Sequence, residues 1–181
     1  MRRGLTILFV SLLILASCTT APVESYQEEK PVLDLPRYFA GTIDGWGMFQ
    51  DRSGKVLKRF YVRIEATWKD NVGTFDEHFE WSDGKRTRRV WTVIRVSDHE
   101  YTGTASDVIG TAKGEAYGNA LRWRYVLNLE VDGRETYEVD FDDWMYLIDD
   151  RTMLNRSYLS KFGVELGQVT YRSPGAAHRC L

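Results

Sequence analysis

From Tyr38 onward the chain alternates. In FYVRIEATW, Phe60, Val62, Ile64, Ala66 and Trp68 fall on one side and Tyr61, Arg63, Glu65 and Thr67 on the other. A strand imposes this period of two because successive side chains leave opposite faces. LRWRYVLNL repeats it, with Leu121, Trp123, Tyr125, Leu127 and Leu129 opposed by Arg122, Arg124, Val126 and Asn128. Turn clusters punctuate the runs: DRSG (51–54), KDN (69–71), SDG (82–84), SDH (97–99), YGN (117–119), DGR (132–134) and DDR (149–151). Short strands at such spacing predict an all-β antiparallel domain, a single up-and-down barrel with a β-sandwich as the alternative. The charged strand faces exclude a barrel bathed in lipid, whose outer band must be apolar. RSYLSKFG (156–163) reads equally as a short helix closed by Gly163 or as a strand.

The hairpin across residues 132–134 fixes a register. A two-residue Asp-Gly turn would set Leu127 opposite Glu138 and mix the faces. A three-residue loop sets Leu129 opposite Tyr137, Leu127 opposite Val139, Tyr125 opposite Phe141 and Arg124 opposite Asp142, and the faces agree. Glu138, Asp140 and Asp142 then form a wet row, with Arg124–Asp142 as a cross-strand pair. Asp149 and Asp150 fall in the next turn, where Asp bonds its own backbone. Asp143 stands apart, because strict alternation places it inward beside Trp123, where an unpaired carboxylate is costly. Either a bulge at Asp142–Asp143 turns it outward, the expectation preferred on the sequence, or an inward arginine neutralises it.

A basic strand supplies that arginine. KRTRRVWTVIR (85–95) sets Arg89, Trp91, Val93 and Arg95 on one face. Turned outward, the face is ordinary surface with long stems laid over apolar neighbours. Turned inward, Arg89 or Arg95 becomes the counter-ion of Asp143 or of an anionic ligand. The candidate ligand-binding residues are therefore Arg89, Trp91, Arg95, Trp123 and Asp143. The four glycines of 103–120 match no phosphate-binding pattern and read as bulges and tight turns. His78, His99 and His178 lie far apart, and the aspartates of 140–150 are split by an apolar run, so no metal site is expected. No cofactor motif and no catalytic residue stand out. A carboxylate-based hydrolase is the least implausible enzyme, and it needs two acids about 5–9.5 Å apart on one cleft.

The first residues assign an address. MRRGLTILFVSLLILASCTT has two arginines, an apolar stretch from Leu5 to Ala16 and small residues up to Cys18, the layout of a secretory signal. The stretch is too short for a transmembrane helix, which needs about 20 residues. Leu15-Ala16-Ser17-Cys18 resembles the lipobox of bacterial lipoproteins, in which the chain is cut before a lipidated cysteine. Thr19, where such lipoproteins carry Asp for inner-membrane retention, points to the outer membrane and its periplasmic face. The expected organisation is a signal peptide over 1–17, lipidated Cys18 and a flexible tether over 18–35, a barrel over 36–172 and a disordered tail over 173–181 holding Cys180. The whole chain carries 24 basic and 26 acidic residues. Loss of Arg2 and Arg3 with the signal makes the balance more acidic, which gives nucleic-acid binding no support.

Five stretches, QDRSGKV (50–56), RRVWTVIRV (88–96), YTGTASDVIGTAKGEAYGNALRWRYVL (101–127), DDWMYLIDDRTMLNRSYLSKFG (142–163) and LGQVTY (166–171), together resemble the bacterial lipoprotein family catalogued as domain of unknown function 3833. The resemblance covers roughly residues 35–172. It implies an envelope lipoprotein with a lipocalin-like, calycin-type barrel and no assigned activity, and architecture alone does not transfer function. The expected role is membrane attachment through Cys18 and binding of a small amphiphile, or envelope maintenance. The alternative is an interaction module without a pocket. Oligomeric state is left open.

Overall fold

The alternating runs become ten antiparallel strands in the structure, a computed structural model that describes residues 20–131 and 135–175. They are β1 (Gly41–Asp51), β2 (Val56–Lys69), β3 (Val72–Trp81), β4 (Arg86–Arg95), β5 (Glu100–Thr104), β6 (Val108–Tyr117), β7 (Ala120–Val131), β8 (Glu135–Leu147), β9 (Thr152–Lys161) and β10 (Val164–Pro174). Each strand pairs with the next, and β1 pairs with β10 to close a lipocalin-like up-and-down barrel. Among the described residues no strand stands at a sheet edge, although β5 pairs with β4 only from Thr92 to Arg95, and the sandwich alternative is set aside.

The β7–β8 register is the one that keeps the faces apart: Leu129 lies opposite Tyr137, Leu127 opposite Val139, Tyr125 opposite Phe141 and Arg124 opposite Asp142. RSYLSKFG lies in β9 and its turn. Phe162 and Gly163 there hold positive φ of 52° and 76°, the conformation of a tight turn, so Gly163 closes no helix.

Two expected boundaries are corrected. Residues 20–35 are no tether. Val23–Tyr26 form a 3-10 turn with Val23 buried on the outer wall against Ala120 and Trp144. The Leu33 amide donates to the Gly118 carbonyl at 2.8 Å. Gly118 has φ of 51°, and a side chain there would strike the Tyr26 carbonyl. The chain then turns into the barrel end as the short helix α1 (Leu35–Tyr38), whose N-cap Asp34 accepts from the Arg37 amide at 3.3 Å. Leu33, Leu35, Tyr38 and Phe39 join the core, and Phe39 stacks on Phe75 with centroids 5.0 Å apart. Each such burial is worth about 1.5–3 kcal/mol, which a segment with four apolar anchors exploits although its composition is polar.

At the other terminus β10 runs on to Pro174. Ser173 is buried, and its carbonyl accepts from the Tyr38 hydroxyl at 2.8 Å. The expected tail is thus wrong for 173 and 174. Residues 1–19, with Cys18, and 176–181, with Cys180, lie outside the described residues, as does the turn 132–134.

Candidate functional site

Alternation decides what enters the barrel. On β3 the inward row is Gly73, Phe75, Glu77, Phe79 and Trp81, and on β4 it is Arg89, Trp91 and Val93. The reading of the Arg-Trp face as ordinary outer surface is therefore corrected for these two residues. Trp91 is buried in the core, and its indole meets Trp123 edge-on at 5.8 Å and Tyr125 at 5.3 Å. Arg95 does not join them. It sits at the end of β4, where its guanidinium bonds the Ser97 carbonyl at 3.3 Å and Asp98 at 3.1 Å.

Asp143 points inward as well. Neither the β7–β8 pairing, with Trp123 opposite Asp143, nor the β8–β9 pairing, with Asp143 opposite Ser157, contains an irregularity. The expected bulge is absent for a physical reason. Val139 and Phe141 before Asp143, and Met145 and Leu147 after it, share the inner face, and an extra residue would turn one of these apolar sets toward water. Asp143 is 7% exposed. One oxygen accepts from the Tyr125 hydroxyl at 3.2 Å, and the other, Oδ1, is buried without a protein partner, because the neighbouring Ser157 hydroxyl donates to Asn155 at 3.0 Å. Burial pushes this carboxyl up to about 6, against the Ser157 and Tyr125 hydroxyls and the Arg89 charge, which favour ionisation.

The arginine expected to neutralise Asp143 is mostly engaged elsewhere. Arg89 Nη2 lies 2.8 Å from Asp107, Nε donates to the same carboxylate at 2.9 Å, and Nη1 stands 4.0 Å from Glu77. Burial opposes its charge, but the Glu77 and Asp107 carboxylates outweigh that and keep it protonated. Glu77 is pushed by burial up to about 7, despite Arg89. One guanidinium thus faces three carboxylates. Glu77 and Asp107 were missed on the sequence, although the Phe75-Glu77-Phe79 alternation carried the signal for the first. Tyr125 and Tyr171, both partly buried against the core, have phenols held neutral by desolvation.

Between the Asp143 carboxylate and α1 lies a cavity of about 70 Å³, walled by Phe75, Trp91, Trp123, Tyr125 and, from the N-terminal segment, Leu35 and Phe39. Its volume corresponds to roughly two waters of liquid. Trp123 fits because Gly103 and Gly114 have no side chain: a methyl group at either would overlap the indole. The glycines of 103–120 therefore make room as well as turns, and Gly110, at a φ of 71°, sits where the β6–β7 register slips.

The outer wall is polar and paired. Asp142 binds Arg122 bidentately, with both contacts at 2.7 Å, while Arg124 turns to Glu115 at 2.5 Å. The register was right and the expected Arg124–Asp142 partnership was not, because a diagonal neighbour offered the fork geometry. Arg122 also lies 5.1 Å over the Trp144 ring. Asp149 accepts from the Arg151 and Thr152 amides at 2.8 and 2.7 Å, as expected of a turn aspartate. A broad depression of about 940 Å³ on this wall is lined by Thr20, Ile109, Lys113, Arg124, Asp140 and Tyr158, among others. Among the described residues no group of three His, Cys, Asp or Glu is placed to hold a metal ion.

A family model described as protein of unknown function (DUF3833) matches residues 12–172. No curated protein matches the chain.

Proposed function

The chain belongs to the DUF3833 family, and from that premise we propose that it is an envelope lipoprotein, anchored in the outer membrane through Cys18 and facing the periplasm, whose barrel binds a small amphiphile. The attachment rests on the Arg2-Arg3, Leu5–Ala16 and Cys18 pattern. The binding reading is carried by one observation: the buried, unpartnered Asp143 oxygen at an aromatic cavity that two side chains of the N-terminal segment help to enclose. Leu35 and Phe39 belong to no strand. An apolar tail that takes their place exchanges one apolar filling for another, so the 70 Å³ cavity needs to hold only the polar end. The same size argues against a hydrolase for glycans, since it leaves no room for a sugar ring beside Asp143.

Native mass spectrometry of the full-length protein extracted from its host membrane tests the binding. The expected spectrum carries a small molecule that is released on denaturation, in addition to the mass of the acylated chain. A spectrum of the acylated chain alone would count against it. The broad outer depression favours a second reading, a docking module for envelope proteins. It predicts co-purification with a protein partner that is lost on charge reversal at Lys113 and Arg124.

A further inference from the structure

We propose that the cavity at Asp143 takes an ammonium group, the protonated amine end of a small amphiphile, in a cage made of Trp91, Trp123, Tyr125 and the Asp143 carboxylate. The inference rests on the binding reading above and names the chemistry of the polar end.

Four observations converge. The free Asp143 Oδ1 can only accept, so its partner must donate. The nearest guanidinium is committed to Asp107 at 2.8 Å, so the charge of Asp143 lacks a close counter-ion. Among the described residues, Glu77 and Asp143 on the inner face and the partly exposed Asp107 meet the one guanidinium of Arg89, and even with Glu77 protonated the two aspartates outnumber it, an imbalance that repels carboxylates and phosphates and attracts a cation. The walls are aromatic, with Trp91 edge-on to both Trp123 and Tyr125, and ring faces draw a desolvated cation by their quadrupoles. A hydroxyl group would satisfy the first observation and leave the charge of the other three uncompensated. An ammonium group meets all four, and with its first carbon it matches the scale of the cavity.

The site is read by the indole N–H resonances of Trp91 and Trp123 in the full-length protein held in lipid nanodiscs. Trp46, half-exposed on the outer wall, serves as the control. Butylammonium, butanol and butyrate are titrated separately. Butylammonium is expected to move both interior indoles saturably and to leave Trp46 in place, with butanol weaker and butyrate without effect. Asp143→Asn is expected to weaken butylammonium about tenfold or more. Asp140→Asn, which removes an outward-facing carboxylate from the same strand, is expected to retain binding and so separates loss of the inner charge from a general loss of charge on β8. Equal binding of butanol or butyrate, or undiminished binding of butylammonium by Asp143→Asn, overturns the ammonium assignment and leaves interior binding standing. If none of the three probes moves either indole, the ammonium assignment and the binding reading both fall.

Discussion

At the scale of single residues, two inward-facing acids govern how the barrel responds to pH. Asp143 rises from 3.8 to about 6 and Glu77 from 4.5 to about 7, each chiefly through desolvation. A carboxyl whose folded value lies above its unfolded value binds its proton more tightly in the folded state. Its stabilising contribution is complete below the unfolded value, falls as pH rises through the window between the two, and is gone above the folded value. At 1.36 kcal/mol per unit the shifts amount to about 3 kcal/mol for each group. The melting temperature should therefore decline between about pH 4 and 7. Asp143→Asn and Glu77→Gln should each flatten that decline, and near pH 7.5 each variant should melt at or above the wild type. Scanning calorimetry at stepped pH checks this, and a wild-type melting point that climbs across the window would contradict it. Asp76, held down by Arg88, and Asp149, held down by the Arg151 amide, act in the opposite sense. Their contribution is lost as pH falls below about 4, which separates the two effects. Asp143 also shows where sequence reading stops. Alternation placed it inward, and the penalty for a buried carboxylate argued for a bulge. The outcome turned on the apolar residues on both sides of it, which lose more by switching faces than one carboxylate loses by burial.

At the scale of elements, Trp144 and Tyr146 carry the lesson about the N-terminal segment. Both lie on the outward face of β8, and Trp144 is nonetheless buried, covered by Val23 and Tyr26. Two large aromatics on a face otherwise made of acids were legible as a surface that needed a cover. The polar composition of residues 19–35 masked the segment that supplies it. The strands and six of the described turns were readable because alternation and turn chemistry are local. Contacts between β8 and a segment more than a hundred residues earlier leave no local trace. The β5–β6–β7 wall offers a sharper test of packing. Trp123 occupies space that Gly103 and Gly114 leave open, and at Gly114 the obstacle is the indole itself, wedged between strands. Gly114→Ala should cost about 1–3 kcal/mol by overpacking, read as a lower denaturant midpoint. Gly84→Ala, at a turn with positive φ and open space, should be destabilised only by its backbone. An unchanged midpoint for Gly114→Ala would mean that Trp123 is free to move aside.

At the scale of the molecule, the position of Thr20 sets how the barrel meets a membrane. Thr20 lines the depression on the outer wall, and from Val23 onward the chain is packed down. Cys18 is two residues away, a reach of at most about 7 Å. If Cys18 bears the lipid, the barrel is therefore not suspended on a spacer, and its β6–β9 wall sits close to the headgroups. That wall carries Arg122–Asp142 and Arg124–Glu115 pairs, which suit the interfacial zone and would be costly in hydrocarbon. Attachment then depends on the acyl chains, each buried methylene contributing about 0.8 kcal/mol. Cys18→Ser should abolish cosedimentation with the outer membrane while leaving the fold of the barrel intact. In the wild type, protease should fail to release the barrel by cutting between Thr20 and Phe39, because that segment is docked along its length. Membrane fractionation followed by limited proteolysis reads both. A Cys18→Ser variant that still cosediments with the outer membrane would remove the lipid anchor from the account, and ready release by cleavage near Lys30 would restore the spacer that the docked segment replaces.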